Sequence, residues 1–190
     1  MDWLQNINKL SELLKNLSVK DARQKELGYE NGFKLWSDMG LACKNLEKCV
    51  YFVGNGASAS MASHFSADLA KQIGVRSSVF TDLSLLTALA NDISFEMAYA
   101  EALRLNMRKG DMLIAISSSG NSTNIVNAIN VAKELNGIVI TISAMDENNA
   151  IKQIGDLNFY ITASTYGFAE TGHTVILHYW IDMMHLIVQK

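Results

Sequence analysis

Apolar residues recur at helical spacing early in the chain, at Leu10, Leu13, Leu14 and Leu17, and again at Phe33, Leu35, Trp36, Met39 and Leu41. Side chains three to four positions apart share one face of a helix, so two helices are expected before residue 49. The pattern then changes. Cys49-Val50-Tyr51-Phe52-Val53 is a continuous apolar run that stops at Gly54, as a strand buried on both faces does where it feeds a turn. A helix is expected over 58–73. Val79 and Phe80 close a second strand, and 83–90 and 95–107 read as helices, the latter with a basic end and Gly110 just beyond it. Met112-Leu113-Ile114-Ala115-Ile116 repeats the buried-strand pattern, followed by a serine-rich turn and a helix to about Leu135. Gly137 to Ile142 and Leu157 to Thr162 read as further strands, and 170–188 as a long apolar helix.

Strands alternating with helices of this length predict a three-layer α-β-α sandwich around a parallel sheet, of the Rossmann-like or flavodoxin-like kind. Such sheets bind ligands at the C-terminal ends of their strands. Two segments follow: a helical one over 1–48, a candidate for subunit contacts, and the α/β domain over 49–190.

A chain of 190 residues is long enough for one such domain and short for two. With 49% hydrophobic and 18% charged residues, it has little polar surface with which to cover its apolar area, which points to a homo-oligomer. A net charge of −3 without a basic run argues against nucleic acid as a ligand, because binding phosphate backbones needs clustered Lys and Arg. Cys43 and Cys49 show neither CxxC spacing nor a neighbouring histidine cluster, and read as small core residues of a reduced, cytoplasmic protein. Met1-Asp2-Trp3-Leu4 has no basic-then-apolar leader pattern. No window approaches the roughly 18 apolar residues of a membrane span. Asp146-Glu147-Asn148-Asn149 reads as a solvated loop.

Candidate chemistry begins at two strand-to-helix turns. Gly54-Asn55-Gly56-Ala57-Ser58 places glycines where backbone can approach a ligand, with Asn55 and Ser58 as side-chain donors. Ser117-Ser118-Ser119-Gly120-Asn121-Ser122 brings hydroxyls and free amides to a helix start, an anion site that needs no Lys or Arg. Each alone reads equally as a tight turn or a helix cap. Together they match neither a dinucleotide turn nor a Walker loop, and favour one phosphate on a small molecule. His64 and Asp68, four residues apart, share a helix face and can share a metal. Glu170, His173 and His178 follow the spacing E-x2-H-x4-H, which leaves open whether Glu170 works with its neighbour His173 or with His178, about 12 Å further along the helix.

Gly54-Asn55-Gly56-Ala57-Ser58, His64-Phe65-Ser66-Ala67-Asp68-Leu69, Ala90-Asn91-Asp92 and the serine turn, with the final helix, resemble the successive signatures of the phosphoheptose isomerase branch of the SIS family. The likeness covers roughly residues 45 to 190. It implies an aldose–ketose isomerase, most directly one converting sedoheptulose 7-phosphate to D-glycero-D-manno-heptose 7-phosphate, assembled as a homotetramer with sites at subunit interfaces. It also implies roles residue by residue. Ser117, Ser119 and Ser122 would hold the phosphate, Asn55, Gly56 and Ser58 would complete that site, and Asp92 would line the substrate pocket. His64, Asp68, Glu170 and His178 would form the metal and catalytic set, with zinc as the metal, Asp68 as general base and His178 as general acid. His173 would stay outside it and, like His185, belong to a core or interface. Three departures stand out: Asp68 where the family has glutamate, Gln72 where it has arginine, and Glu170 where it has glutamine. They leave room for another sugar phosphate. Relatives that bind the replication initiator or sense sugar phosphates without catalysis are the other reading, and those lack the catalytic histidine.

Overall fold

In a computed structural model, residues 2–189 are described; Met1 and Lys190, the outer ends of the two expected segments, lie outside them. The chain runs through α1 (Trp3–Lys15), β1 (Ser18–Asp21), α2 (Tyr29–Asn45), β2 (Cys49–Gly54), α3 (Ala57–Asp68), a π-helical turn (Leu69–Ile73), β3 (Arg76–Val79), α4 (Leu83–Asp92) and α5 (Ala98–Asn106). It continues with β4 (Met112–Ser117), α6 (Thr123–Glu134), β5 (Ile138–Ala144), a 3-10 turn (Ala150–Gln153), β6 (Leu157–Ile161) and α7 (Tyr166–Val188). Six strands form one sheet in the order β1-β6-β5-β4-β2-β3. Every pairing is parallel except β1 with β6.

The expected sandwich is therefore present, and the inner strands are where the unbroken apolar runs placed them. All residues of β2, β4 and β6 are buried, because both sheet faces carry helices. One face packs against α1, α2, α3 and α7, with Trp36 stacked on Trp180 at 4.2 Å between ring centres and Phe159 beneath. The other packs against α5 and α6 through Leu103, Ala128 and Ile129.

The lead-in departs from the wholly helical expectation. Ser18–Asp21 forms an edge strand antiparallel to β6, from Ser18 opposite Tyr160 to Asp21 opposite Leu157. Only Val19 of its four residues is buried, so no apolar run marked it, and its outer edge is covered by residues 25–27, where Leu27 donates its amide to the Val19 carbonyl and Asp21 donates its own to the Lys25 carbonyl. Phe80 also falls outside β3, and stacks its ring on Tyr51 at 5.6 Å. The Asp146–Asn149 loop is solvated only in part: Asn149 is fully buried, and its side chain accepts from the Lys152 amide to cap the 3-10 turn. Among the described residues, no helix is long and apolar enough to cross a membrane.

Candidate active site

Adjacent inner strands β2 and β4 end side by side, with Gly54 opposite Ile116. Their two following turns therefore meet at one edge of the sheet. Gly54 lies so close to Ser58 that a Cβ there would stand 2.7 Å from the Ser58 backbone. Gly56 takes the left-handed conformation at φ 54°, which lets the chain turn straight into α3. Asn55 and Asn124 exchange two amide hydrogen bonds of 2.9 Å each, tying the first turn to the first residues of α6. The Tyr99 hydroxyl donates to the Gly54 carbonyl at 2.6 Å and anchors the same turn from below.

The serine turn is fixed just as firmly. Gly120, at φ 65°, donates its amide to the Ser117 hydroxyl at 3.1 Å, and its carbonyl accepts from Ile151. The Asn121 side chain accepts from the Ala150 amide at 2.9 Å. Ser122 stands at the N-cap of α6, yet its hydroxyl makes no capping bond and lies 3.4 Å from that of Ser117. The plain capping reading of Ser122 thus does not hold: its hydroxyl bonds within the serine turn rather than to the amides of α6. α3 likewise starts without a side-chain cap. A Cβ at position 120 would overlap the buried Asn149 side chain as well as strain the backbone. Gly120→Ala is expected to lower stability by about 1–3 kcal/mol and to abolish phosphate-induced stabilisation, read by thermal unfolding with and without inorganic phosphate.

Between the turns lies a pocket of about 140 Å³, lined by Asn55, Ser58, Ile116, Ser117, Ser118, Ser119, Ser122, Tyr166 and Glu170. Its lining contains no Lys, Arg or His, so an anion here would be held by hydroxyls, amides and helix N-termini. The size suits a phosphoryl group with the first atoms of its chain. A larger hollow of about 550 Å³ lies elsewhere, between α1, α2 and α7; it is lined mostly by apolar residues such as Ile7, Leu10, Leu14, Phe33 and Ile176, with Ser11, Lys15, Tyr29 and Tyr179 as its polar members, and neither turn contributes to it.

A second constellation forms where α3 packs on α7. His64 Nε2 lies 3.3 Å from Asp68 Oδ2, and the His178 ring meets that of His64 edge-on at 5.6 Å between centres. One donor atom from each of His64, Asp68 and His178 falls within 4.8 Å of the others. Two imidazoles and a carboxylate so converged match the three protein ligands of a catalytic zinc site. Asp68 reaches the group although it is one methylene shorter than glutamate.

Glu170 is not in this group. It lines the serine pocket, because eight residues of helix separate it from His178 by about 12 Å. Asp92, the exposed last residue of α4, accepts from the Asn91 side chain at 2.9 Å and stands outside the pocket lining. His173 is wholly buried, neither ring nitrogen has a hydrogen-bond partner, and burial pushes its pKa down to about 4. It belongs to the core, as its apolar surroundings predict, while His185 is half-buried near the end of α7. Asn124, Tyr99, Asn149 and Tyr166 are the site residues that sequence reasoning missed. Asn124 alone had a signal, as a second amide two places after Ser122.

The chain matches the SIS domain over residues 30–144, a stretch that begins within α2 rather than at β2. A phosphoheptose isomerase of Helicobacter pylori is 31% identical over 175 residues, covering 87% of this chain and 90% of that protein. One of Campylobacter concisus is 29% identical over 178 residues, covering 87% and 94%. Among solved structures, a phosphoheptose isomerase from Neisseria gonorrhoeae shares the fold with a TM-score of 0.80 over 95% of both chains, at 24% identity. On its serine pocket, its sheet topology and these relatives together, the chain belongs to the SIS-domain family, in its phosphoheptose isomerase branch.

Proposed function

We propose that the protein is an aldose–ketose isomerase converting sedoheptulose 7-phosphate to D-glycero-D-manno-heptose 7-phosphate. The observation that carries this is the placement of a hydroxyl-lined pocket without any cationic side chain and a His–Asp–His group along the same two helices. From Ser58 to His64 is about 9 Å of α3, and from Glu170 to His178 about 12 Å of α7. An open seven-carbon chain with its ester spans roughly 10 Å, from bonds of about 1.5 Å laid in zigzag. A phosphate in the serine turn would therefore bring carbons 1 and 2 to the His–Asp–His group.

Asp68 and His178 stand side by side, with donor atoms too close for a carbon chain to pass between them. That favours proton transfer on one face of the substrate. Asp68 takes the proton from carbon 1, and the electron pair moves to form the enediol while His178 gives a proton to oxygen 2. Asp68 then returns its proton to carbon 2, His178 removes the proton of oxygen 1, and the aldehyde forms. Atoms and charge balance without an outside oxidant.

His64, Asp68 and His178 would hold a divalent cation, zinc being suited to two imidazoles and one carboxylate. Such an ion, when bound, polarises the substrate oxygens and stabilises negative charge on them. A carboxylate has two oxygens and an imidazole two nitrogens, so Asp68 and His178 can each face the ion with one atom and the substrate with the other.

Homotetramer formation is part of the proposal. It is supported by the apolar hollow beside α1, by exposed Trp3 and Leu4, and by α4, an apolar helix with no buried residue that carries Asp92. Covering α4 with another subunit would enclose Asp92 beside a substrate pocket. Buried, unpaired Cys43 and Cys49 suit a reducing cytoplasm.

The test is turnover of sedoheptulose 7-phosphate by purified protein before and after a chelator, with zinc restored. Turnover lost to the chelator and regained with zinc is expected. No turnover in any zinc-loaded sample overturns the activity, and turnover indifferent to chelation overturns the metal.

A further inference from the structure

Most of the serine pocket is built by its two turns, but its outer wall belongs to the first turn of α7, where Tyr166 and Glu170 stand four residues apart on one face. That turn is held rigidly. The Thr165 hydroxyl caps it by accepting from the Phe168 amide at 3.3 Å, Phe168 packs against the core, and Ala169 is fully buried. The Tyr166 side chain, by contrast, is 63% exposed, so the backbone is fixed at the pocket rim while the ring is not committed to packing.

The electrostatics of the pocket give that phenol a task. A phosphate monoester brings close to two negative charges, and the lining offers no cation against them, while Glu170 adds a negative charge to the same wall. Binding then depends on the number of aimed neutral donors. The serines and helix amides supply these from the sheet side, and on the α7 wall the Tyr166 O–H is the one side-chain donor, since Glu170 offers only acceptors when ionised. Hydrogen bonds to a charged acceptor are the strong ones.

We infer that Tyr166 closes the pocket over the phosphoryl group by donating its phenolic hydrogen to a phosphate oxygen, making it a substrate-binding residue of the site. This rests on the reading of the site as a sugar-phosphate isomerase pocket. Loss of one such bond should weaken phosphate binding by roughly tenfold or more without altering proton transfer at the far end of the substrate.

The test compares wild type with Tyr166→Phe, which removes only the hydroxyl, and measures KM and kcat for sedoheptulose 7-phosphate together with the dissociation constant of inorganic phosphate by calorimetry. Expected are a rise in KM and a parallel rise in the phosphate dissociation constant, each of roughly tenfold, with kcat within about twofold of wild type. A higher KM with unchanged phosphate affinity would assign the phenol to the carbon chain, and unchanged values throughout would leave it an ordinary surface residue; either overturns the inference. A fall in kcat with KM unchanged overturns it too. If wild type binds inorganic phosphate but turns nothing over, the isomerase reading fails, while the calorimetric comparison still decides the role of Tyr166.

Discussion

Replacing His178 by alanine is expected to lower kcat by about 10²–10⁴-fold, the range typical for losing a positioned acid–base group. The same variant should keep the stabilisation conferred by phosphate, about 2.7 kcal/mol at a hundredfold excess over the dissociation constant. These outcomes separate because the two halves of the site are built from different parts of the chain. His178 is exposed on α7 beside His64 and Phe65, and removing its ring opens no buried cavity. The proposed phosphate pocket is built by the turns after β2 and β4, two helical turns away along α7. Steady-state kinetics and thermal unfolding with inorganic phosphate give the two readings. Retained turnover would remove His178 from the chemistry, and a joint loss of turnover and phosphate stabilisation would make its role structural.

Acid should destabilise the protein well above the range of ordinary carboxylates, and His173 is the cause. Burial pushes its pKa from 6.5 down to about 4, outweighing a polar approach of the Ser143 backbone, and its ring nitrogens find no hydrogen-bond partner. In the unfolded chain the same imidazole takes up a proton near pH 6.5. Between those two values the unfolded state binds more protons than the folded one, so stability rises with pH there and is fully present above about pH 6.5. Falling from pH 6.5 to about 4 therefore removes about 3 kcal/mol through this one group. Urea unfolding at a series of pH values measures the slope, and His173→Leu, close in volume and unable to titrate, should flatten it by one proton. An equal slope in the variant would show that other groups carry the acid sensitivity. In the wild type the loss is set by folding alone, so it should appear whether or not substrate is added.

Where the sequence was readable, the reason is local. Continuous apolar runs at 49–53 and 112–116 could be buried strands only if both sheet faces were covered, and β2 and β4 lie within that setting. Glycines within four residues of those runs marked the turns, and the position of Gly56 and Gly120 at positive φ is one that glycine takes without strain. His64 and Asp68 were legible as a pair because four residues on a helix make one face, whatever surrounds it. Edge strand β1 was not legible: one buried valine among Ser18, Lys20 and Asp21 leaves no period to detect.

Pairings across distant parts of the chain belong to the tertiary structure. Asn55 meets Asn124, 69 residues away, only because β2 and β4 are neighbours in the sheet, and nothing near either residue encodes strand order. Asn149 was read from its polar neighbours as solvated, but it fills the space under Gly120 that only a folded serine turn creates. The three residues of the E-x2-H-x4-H spacing are equivalent candidates on paper. The packing of α7 against α3 and the sheet sends Glu170 to the serine pocket, His173 into the core and His178 to Asp68. The sequence by itself determined the layers, the two strand-to-helix turns and the pool of candidate acid–base residues, because hydrophobic period and glycine geometry act over a few residues. Which of those residues share a site was decided by strand order and helix packing, which depend on contacts between segments that no local pattern records.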